Sequence, residues 1–445
     1  MNGMNLVEKS LNRLRLPGVI MLLKLMDWVA KSKWIFSRDK VVFKKDQTSD
    51  QNIHVVLALF EKDYLRKDII NLCDVLVANK CYVTAVNTKK LDTENIEIAK
   101  KYFGKYIERF NYGRDFSSYK TGVKSFYRDN GDQKSVKLLF LNDSVFYSKR
   151  GLDEWVKELI NSEIPVTGTT ENLEVEHHIG SFTLAVMKSV FMQKRFRKYW
   201  FSYKDTDLRA QVIKKGELKF SKVLKKCISS LTYFRALYNS ERFYHFIKSD
   251  SARIFRENFS FYNRRSALTG LGLQIPTLDL NQILQYMRRF VVEDRDLEDA
   301  QNLKASDTSE GGFGKSLKIL NEKDFNFIVS AKDLKQYLNK NITNEYERAL
   351  IDEEVDKAII FGWHEIFRQG SQIHTNCIIL SHMGVPFIKL DLIFRGVCAR
   401  EDIKALTSNL PEDEVEDLIN MLYSRPFGET SLFGWRKTAF MNGLI

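Results

Sequence analysis

Two neighbouring runs of the chain decide its fold. The first, at residues 107–122, reads Ile-Glu-Arg-Phe-Asn-Tyr-Gly-Arg-Asp-Phe-Ser-Ser-Tyr-Lys-Thr-Gly, and the second, at 136–146, reads Val-Lys-Leu-Leu-Phe-Leu-Asn-Asp-Ser-Val-Phe. The second run begins with six mostly apolar residues, which predicts a short buried strand. That strand ends at Asn142-Asp143-Ser144. Ligands of open α/β sheets bind beyond the carboxyl ends of the strands, so the sequence predicts chemistry at Asp143.

The segments around these runs predict a doubly wound, mostly parallel sheet. Before the second run, the cluster Asn111–Asp115 is typical of a turn, and it leads into a helical pattern from Ser117 to Tyr127. Apolar runs that indicate strands alternate with amphipathic runs that indicate helices, which is the pattern of βαβ units. The strand runs are 53–60, 81–86, 106–110 and 166–168, and the helix runs are 63–79, 93–103 and 152–161.

Changes in composition divide the chain into four predicted regions. Residues 1–48 form a basic amphipathic N-terminal extension, and 49–230 form the sheet domain. Residues 231–330 form a basic helical region and linker, with the acidic, non-periodic stretch 298–316 as the linker itself. Residues 331–445 form a largely helical C-terminal region.

The bulk composition indicates a globular protein. Of 445 residues, 44% are hydrophobic and 28% are charged, which excludes a disordered chain. The five cysteines are scattered without metal-ligand spacing, so we expect buried free thiols in a reducing compartment. No apolar run reaches the ~18–20 residues that a transmembrane helix needs, and no signal-peptide pattern is visible.

The positive charge of the chain is concentrated in one segment. The net charge is +12, and residues 190–270 alone contain 19 Lys and Arg against 6 Asp and Glu. Basic and aromatic residues alternate in Lys194–Phe201, a pattern suited to an anionic membrane surface or to nucleic acid. A solvated face above buried aromatic rings would give the same pattern. Because no RNA-binding motif accompanies the segment, we expect nucleic acid not to be a partner.

The N-terminal run Leu6–Trp34 has apolar residues at helical spacing, mixed with Lys and Arg. This pattern is typical of a helix that lies on an anionic bilayer. A helix packed on the protein's own core would show the same spacing, and the sequence leaves both interpretations open.

A set of motifs, in order along the chain, resembles the rhamnan synthesis F-type family of bacterial polysaccharide glycosyltransferases. Asn-x-Gly-Arg-Asp-x-x-Ser-Tyr at 111–119 and Asn-Asp-Ser-Val at 142–145 carry most of the resemblance. The flanking motifs are His54–Phe60, His178–Phe182, Lys215–Ser221, His374–Asn376 and Gly384–Lys389. The resemblance covers roughly residues 50–230 and 340–440.

The resemblance implies a GT-A-like fold and the transfer of a sugar from a nucleoside diphosphate donor. The sugar would be rhamnose or another deoxysugar, and the acceptor a lipid-linked or polysaccharide chain of the cell surface, such as lipopolysaccharide. The enzyme would work in the cytoplasm, on the inner face of the cell membrane. A non-catalytic module of a polysaccharide assembly complex, or a nucleic-acid-binding protein using residues 190–270, remains an alternative.

The same resemblance assigns a metal and nucleotide site. Asp143 would hold Mg or Mn at the donor diphosphate, although Asn142-Asp143-Ser144 offers only one carboxylate where two are usual in such enzymes. Arg114 and Asp115 would bind the nucleotide, with Asn142 and, less directly, Lys120. An Arg suits bidentate contact with phosphate, but an Asp in a turn is also a common helix cap, and an Arg-Asp pair a common surface salt bridge.

Catalysis by inversion requires a base that takes the proton of the acceptor hydroxyl. Glu217 is our candidate because it follows the metal motif and is predicted to open a helix, while Glu171 and Glu176 compete for the role. By the resemblance, His178 is the matching family position, and Ser181 would contact the sugar or acceptor. His177 and His178, being adjacent, would face opposite sides of a strand. A Glu in the first turn of a helix, or a buried structural His, is the ordinary alternative.

Overall fold

The computed structural model describes residues 6–173, 176–252, 331–340, 345–368, 371–394, 400–424 and 434–445. Within these ranges the chain forms two compact units. The first comprises the described parts of residues 1–238 and 377–445, and the second those of 239–265 and 274–376. The linker predicted at 298–316 lies outside the described residues, so the domain boundaries stay a prediction.

The described residues contain twelve strands. They are β1 (Lys40–Lys44), β2 (Ile53–Leu59), β3 (Cys81–Asn87), β4 (Lys105–Glu108), β5 (Lys137–Asn142), β6 (Val145–Tyr147), β7 (Val166–Gly168), β8 (Glu171–Asn172), β9 (His178–Ile179), β10 (Thr183–Met187), β11 (Phe234–Ala236) and β12 (Phe387–Lys389).

The described residues also form helices. They are α1 (Leu6–Ile35), α2 (Lys67–Ala78), α3 (Thr93–Tyr102), α4 (Arg114–Arg128), α5 (Gly131–Lys134), α6 (Leu152–Asn161), α7 (Lys188–Phe191), α8 (Lys194–Ser202), α9 (Arg209–Val212), α10 (Lys219–Lys225), α11 (Ser240–Lys248), α12 (Ala331–Asn339), α13 (Glu345–Phe367), α14 (Gln372–Thr375), α15 (Cys377–His382), α16 (Arg400–Thr407), α17 (Glu412–Ser424) and α18 (Gly434–Met441). A π-helical turn spans Ile213–Leu218, and 3-10 turns span Leu231–Tyr233 and Asp250–Ala252.

The main sheet of the first unit has eight strands in the order β1-β4-β3-β2-β5-β10-β7-β11. Its centre, β4-β3-β2-β5, is parallel throughout, whereas β10 runs antiparallel to both β5 and β7. All seven residues of β2 are buried, as expected for an apolar strand covered on both faces. The predicted α/β class, with a mostly parallel sheet and a helical C-terminal region, is confirmed.

Helix α4 packs closely on β2. A Cβ added to Gly122 would lie 2.3 Å from Cγ1 of Val56, so only glycine permits this approach. Alternate residues of β2 and β5, such as Val56 and Phe140, share one hydrophobic cluster with α4, α8 and α10. The predicted helix at Ser117–Tyr127 therefore exists and begins three residues earlier, at Arg114, after Gly113 with φ of +86°.

The C-terminal segment of the first unit returns to the end of the central strand. β12 pairs with β6 in antiparallel register, which places Lys389 opposite Val145. Glu414 of α17 is buried and accepts hydrogen bonds from the Ser148 hydroxyl (2.5 Å) and the Lys149 amide (2.8 Å). Residues more than 240 positions downstream thus complete the loop that follows Asp143.

The second unit is helical in its described part. Phe243 of α11 stacks on Phe367 of α13, with ring centroids 4.2 Å apart. Leu334 and Leu338 of α12 are buried, and Asn339 donates to Asp352 of α13 over 3.0 Å.

Four of the cysteines, Cys73, Cys81, Cys227 and Cys377, are buried free thiols, as predicted; Cys398 lies outside the described residues. Burial raises the pKa of the Cys81 thiol to about 12. Within the described ranges, none of the helices combines the length and apolarity that crossing a membrane would require.

Candidate functional site

The predicted site residues of the two decisive runs meet at the carboxyl end of β5. Asn142 is the last residue of that strand, and its side-chain amide donates to Oδ2 of Asp115 over 2.8 Å. Oδ1 of Asn142 accepts from the Ser144 hydroxyl (2.6 Å), and that hydroxyl accepts from Nζ of Lys389 (2.7 Å). A continuous hydrogen-bond chain therefore joins the start of α4, the end of β5 and strand β12.

Asp143 is held rigidly beside this chain. Its side chain is 4% exposed, and Oδ2 accepts from the Phe60 amide over 2.5 Å. The Asp143 carbonyl accepts from Nη1 of Arg66 over 3.1 Å. Nothing in the sequence indicated a role for Arg66 in positioning Asp143, because an Arg before a helix gives no signal of a buried partner.

Arg66 is itself neutralised within the protein. Its guanidinium lies 3.0 Å from Asp68 and 3.4 Å from Glu61, and all three side chains are buried. Burial is the main cause that raises the pKa of the Asp68 carboxyl. Arg66 therefore positions the Asp143 loop, and its charge is balanced by these two carboxylates.

Asp115 is the most perturbed carboxylate of the site. Burial, followed by the nearby Asp143 carboxylate, raises the pKa of Asp115 to about 6 from an ordinary 3.8. Glu217 raises this pKa further, whereas Lys389 and Arg114 lower it. Three carboxylates and two cations thus share one electrostatic environment, which is typical of a functional site.

The turn before α4 is fixed by Asp207. Asp207 accepts from the Gly113 amide over 2.6 Å, and its carbonyl accepts from Nε of Arg114 over 3.0 Å. Arg114 is exposed and has a positive φ of +52°, a conformation that this turn imposes. The Arg114 backbone is therefore held in place beside the Asp115 carboxylate.

Lys120 has partners within the protein. Its ammonium forms a close ion pair with Asp205 and donates to the Tyr203 carbonyl over 2.8 Å. Asp205 also accepts from the Ser117 hydroxyl over 2.6 Å. These contacts explain how α4 is tied to the segment after α8, and a role of Lys120 toward a nucleotide stays a prediction.

Glu217, Ser181 and His178 lie together. Oε1 of Glu217 accepts from the Ser181 hydroxyl over 2.8 Å, and Oε2 lies 4.0 Å from Nε2 of His178. Nδ1 of His178 lies 2.7 Å from the Glu176 carbonyl, so Nδ1 carries a proton and Nε2 is directed to the carboxylate. The expectation that Glu217 opens a helix is wrong: Glu217 lies inside the π-helical turn Ile213–Leu218 that continues from α9.

The competing acidic residues have other partners. Glu171 lies 2.9 Å from Nε2 of His177, and Glu176 pairs with Lys222 over 2.9 Å. His177 is half-buried against Phe234, while His178 is buried beside Glu217, so the two adjacent rings diverge as predicted.

A pocket opens beside Glu217, with an apolar lining and three polar residues. The hydroxyl of Tyr119, one of its aromatic residues, donates to the Ser181 carbonyl over 3.0 Å. The apolar lining residues are Phe116, Tyr119, Phe140, Ile179, Leu184, Phe220 and Leu224, and the polar ones are Ser181, Glu217 and Ser221. These apolar residues belong to the core and are each at most 5% exposed, so the pocket is a small gap beside the Glu217 carboxylate.

The basic segment 190–270 divides its aromatic and cationic residues between two sides. In α8, Phe196, Tyr199 and Trp200 are buried in the core cluster, whereas Lys194, Arg195, Arg197 and Lys198 are exposed. Phe201 is 45% exposed and has Arg197 over its ring at 5.4 Å. Within 190–252, therefore, the aromatic residues of α8 mainly form core, and the cations form a surface.

The divalent cation expected at Asp143 stays a prediction. Among the described residues, no cluster of three or more His, Cys, Asp or Glu side chains forms a complete metal site. Asp115 and Asp143 supply two carboxylates, and burial, followed by repulsion from Asp143, raises the pKa of Asp115. Oxygen ligands of this kind suit Mg or Mn, which are commonly held by one or two carboxylates together with substrate phosphates.

Comparison with known proteins agrees with this geometry. Residues 82–294 match the family model described as rhamnan synthesis protein F. The match supports the family resemblance that the motifs carry. The rhamnan synthesis protein F region contains Arg114, Asp115, Asn142, Asp143 and Glu217, while Arg66 and Lys389 lie outside it.

A protein of Sinorhizobium fredii, named uncharacterized protein y4gN, is also similar to this chain. The two are 23% identical over 171 residues, which is 38% of this chain. The chain spans less than half the length of this relative, at 44%.

Proposed function

We propose that the protein is a glycosyltransferase of polysaccharide synthesis. It transfers a sugar, rhamnose or another deoxysugar, from a nucleoside diphosphate donor to a growing cell-surface glycan. The observation that carries the proposal is the convergence of Asp115, Asn142, Asp143 and Lys389 at the carboxyl end of β5. The match to the rhamnan synthesis protein F family supports the polymer class.

The donor half of the site, which comprises Asp115, Asp143, Lys389 and Arg114, neutralises the diphosphate of the donor. Asp115 and Asp143 would hold Mg or Mn, which when bound supplies positive charge to the leaving group. Lys389 reaches the same place from β12 and presents an ammonium to phosphate oxygens. Arg114 lies next to Asp115 at the exposed start of α4, where a guanidinium can contact the nucleotide.

The acceptor half of the site, which comprises Glu217, His178 and Ser181, takes the proton of the acceptor hydroxyl. Glu217 is 29% exposed and borders the pocket, so a sugar hydroxyl can reach its carboxylate. The imidazole of His178 is oriented with Nε2 toward Glu217 and stabilises the carboxylate when protonated. The Ser181 hydroxyl fixes the other carboxylate oxygen at 2.8 Å.

The electrostatics favour an enzyme over a non-catalytic module. A module that only scaffolds an assembly gains nothing from burying Asp115 near the Asp143 carboxylate, because burial and then this repulsion raise the pKa of Asp115. A site that binds a divalent cation with a phosphate ligand needs one or two carboxylates placed in this way. The unfavourable charge arrangement is therefore the specific argument for donor binding.

Calorimetric titration with uridine, guanosine and thymidine diphosphates, with and without Mn, tests the donor site. We expect Mn-dependent binding of one nucleotide, and a loss of about tenfold or more in Asp143→Asn, which keeps the side-chain shape. Asp74→Asn, a change at an exposed carboxylate of α2, is the matched control and should bind normally. Absence of nucleotide binding by the folded wild-type protein would refute the donor site.

Glu217→Gln separates binding from transfer. Because Glu217 belongs to the acceptor half, we expect this variant to bind nucleotide with Mn as the wild type does. Its sugar transfer should fall by about 10²–10⁴-fold, the usual contribution of a positioned base. Retained transfer in Glu217→Gln would assign the base to another residue.

A further inference from the structure

Helix α1 has an exposed apolar stripe. Met21, Leu25 and Trp28 are spaced by four and three residues, so they lie on one side of the helix, and they are 75%, 55% and 64% exposed. Ile35, two turns further on the same side, is 61% exposed, and Phe36 directly after the helix is 89% exposed. Four large apolar side chains on one side of the helix, with Phe36 directly after it, need a partner surface.

The opposite side of α1 is anchored to the protein. Val19 is 5% exposed, and Trp34 lies against Tyr112 with ring centroids 5.5 Å apart. Oδ1 of Asp27 accepts from the Asp207 amide over 2.7 Å and from the Tyr112 hydroxyl over 3.1 Å. The anchor holds the helix in one orientation, with the apolar stripe facing away from the core.

The charges beside the stripe are positive. At 100° per residue, Lys24 and Lys31 border the stripe on one side and Lys33 borders it on the other, and all three are exposed. The single acidic residue among the described side chains of α1, Asp27, is turned to the protein. An apolar stripe between lysines, with Trp within it, is complementary to an anionic lipid surface.

A row of cations and rings ties this helix to α8. Lys120 of α4 lies 5.9 Å from the ring centroid of Trp34, and Lys124, one turn on, lies 5.8 Å from that of Phe201. Arg197 of α8 lies over the same Phe201 ring. Trp34 is on the anchored side of α1, and Lys120 is 13% exposed and paired with Asp205, so this row holds the helix in place and the lysines beside the stripe supply its charge.

We propose that α1 lies flat in the headgroup region of an anionic lipid bilayer, with Trp28 and Leu25 inserted and the flanking lysines on the lipid phosphates. The helix is interfacial, and the charge at Lys24 and Lys31 sets the preference for anionic lipid. Because Asp27 holds the Asp207 amide and Asp207 holds the Gly113 amide, the lipid-bound helix is hydrogen-bonded to the turn that carries Arg114. This arrangement brings the site close to a lipid-linked acceptor, a step that rests on the proposed function.

Sedimentation with vesicles tests the lipid surface without any sugar or nucleotide. Vesicles of phosphatidylcholine with a quarter phosphatidylglycerol should bind the wild-type protein, and pure phosphatidylcholine vesicles should bind it much less. The double variant Leu25→Glu/Trp28→Glu should lose about tenfold or more of the partition coefficient. Its matched control is Leu231→Glu/Tyr233→Glu, which changes two exposed residues of a 3-10 turn and should bind normally.

Replacement of Lys24, Lys31 and Lys33 by Gln tests the charge separately. Each lysine near an anionic surface contributes about fivefold, so the triple variant should lose on the order of 10² in affinity for the anionic vesicles. Equal binding to both kinds of vesicle, or undiminished binding by Leu25→Glu/Trp28→Glu, overturns the proposal. A wild-type dimer that this variant converts to a monomer, without vesicle binding by either, would assign the stripe to a second copy of the chain. These outcomes leave nucleotide binding untouched, so they are distinct from a failure of the donor site.

Discussion

Asp115→Asn should make the unliganded protein more stable while removing its affinity for metal and nucleotide. The pKa of Asp115 is raised from 3.8 to about 6, mainly by burial and by Asp143. At 1.36 kcal/mol per pKa unit, this difference corresponds to about 3 kcal/mol. This is the free energy by which ionised Asp115 destabilises the folded state. Asn cannot ionise, and its side-chain oxygen still accepts from the Asn142 amide, so the variant avoids this cost.

The pH dependence has a definite sign. The folded protein holds the Asp115 proton more tightly than the unfolded chain does, so the cost is absent well below pH 3.8 and grows until about pH 6. Above pH 6 it is constant. The gain in the free energy of unfolding on Asp115→Asn should therefore be about 3 kcal/mol at pH 8 and about half of that at pH 5.

Urea unfolding of wild type and Asp115→Asn at both pH values measures this gain. Asp74→Asn serves again as the control and should show no such pH-dependent gain, because its carboxylate is exposed. Mn with the bound nucleotide should raise the urea midpoint of the wild type and leave that of Asp115→Asn unchanged. A variant that is less stable than the wild type at pH 8, or equally stabilised at both pH values, would refute the reasoning.

Three further changes test the fold around the site. Glu414→Ala leaves the Ser148 hydroxyl and the Lys149 amide without their buried acceptor, so urea unfolding should show a loss of about 2–4 kcal/mol. Gly122→Ala, which drives a Cβ into Val56, should cost about 1–3 kcal/mol by the same measurement, whereas Gly18→Ala, with open space around the Cβ, should be neutral or stabilising. Burial lowers the pKa of His54 to about 3, so wild-type stability should fall as pH drops from 6.5 toward 3, and His54→Gln should flatten that part of the curve.

The parallel centre of the sheet could be predicted because its strands are continuous apolar runs. The run 53–60 became β2 (Ile53–Leu59), and the helix predicted at 152–161 has those same bounds. Strand β1 was missed because its apolar run, Val41-Val42-Phe43, is only three residues long and lies within the predicted N-terminal extension. Strand β10 was missed because Thr183–Met187 follows closely on another motif and pairs antiparallel in a sheet predicted to be mostly parallel.

The candidate site was only partly visible in the sequence. Polar residues at the end of an apolar strand pointed to Asn142 and Asp143, and the family motif pointed to Arg114 and Asp115. Nothing in the sequence indicated that Asp27 and Asp207 hold the turn before α4, because both lie far from it along the chain. Pairings of this kind depend on tertiary packing, which local patterns do not encode.

The geometry also answers the objection that one carboxylate is too few for a metal. In the sequence, Asn142-Asp143-Ser144 has a single acidic residue, and this left room for a non-catalytic module. In the fold, a second carboxylate available to the proposed metal is that of Asp115, 27 residues before Asn142 and hydrogen-bonded to it. An Asp at position 142 would add a third charge next to Asp115 and Asp143, whereas the Asn142 amide donates to Asp115 and keeps its carboxylate oriented. The neutral residue in the motif is therefore a consequence of where α4 places its own carboxylate, and it is consistent with a two-carboxylate donor site.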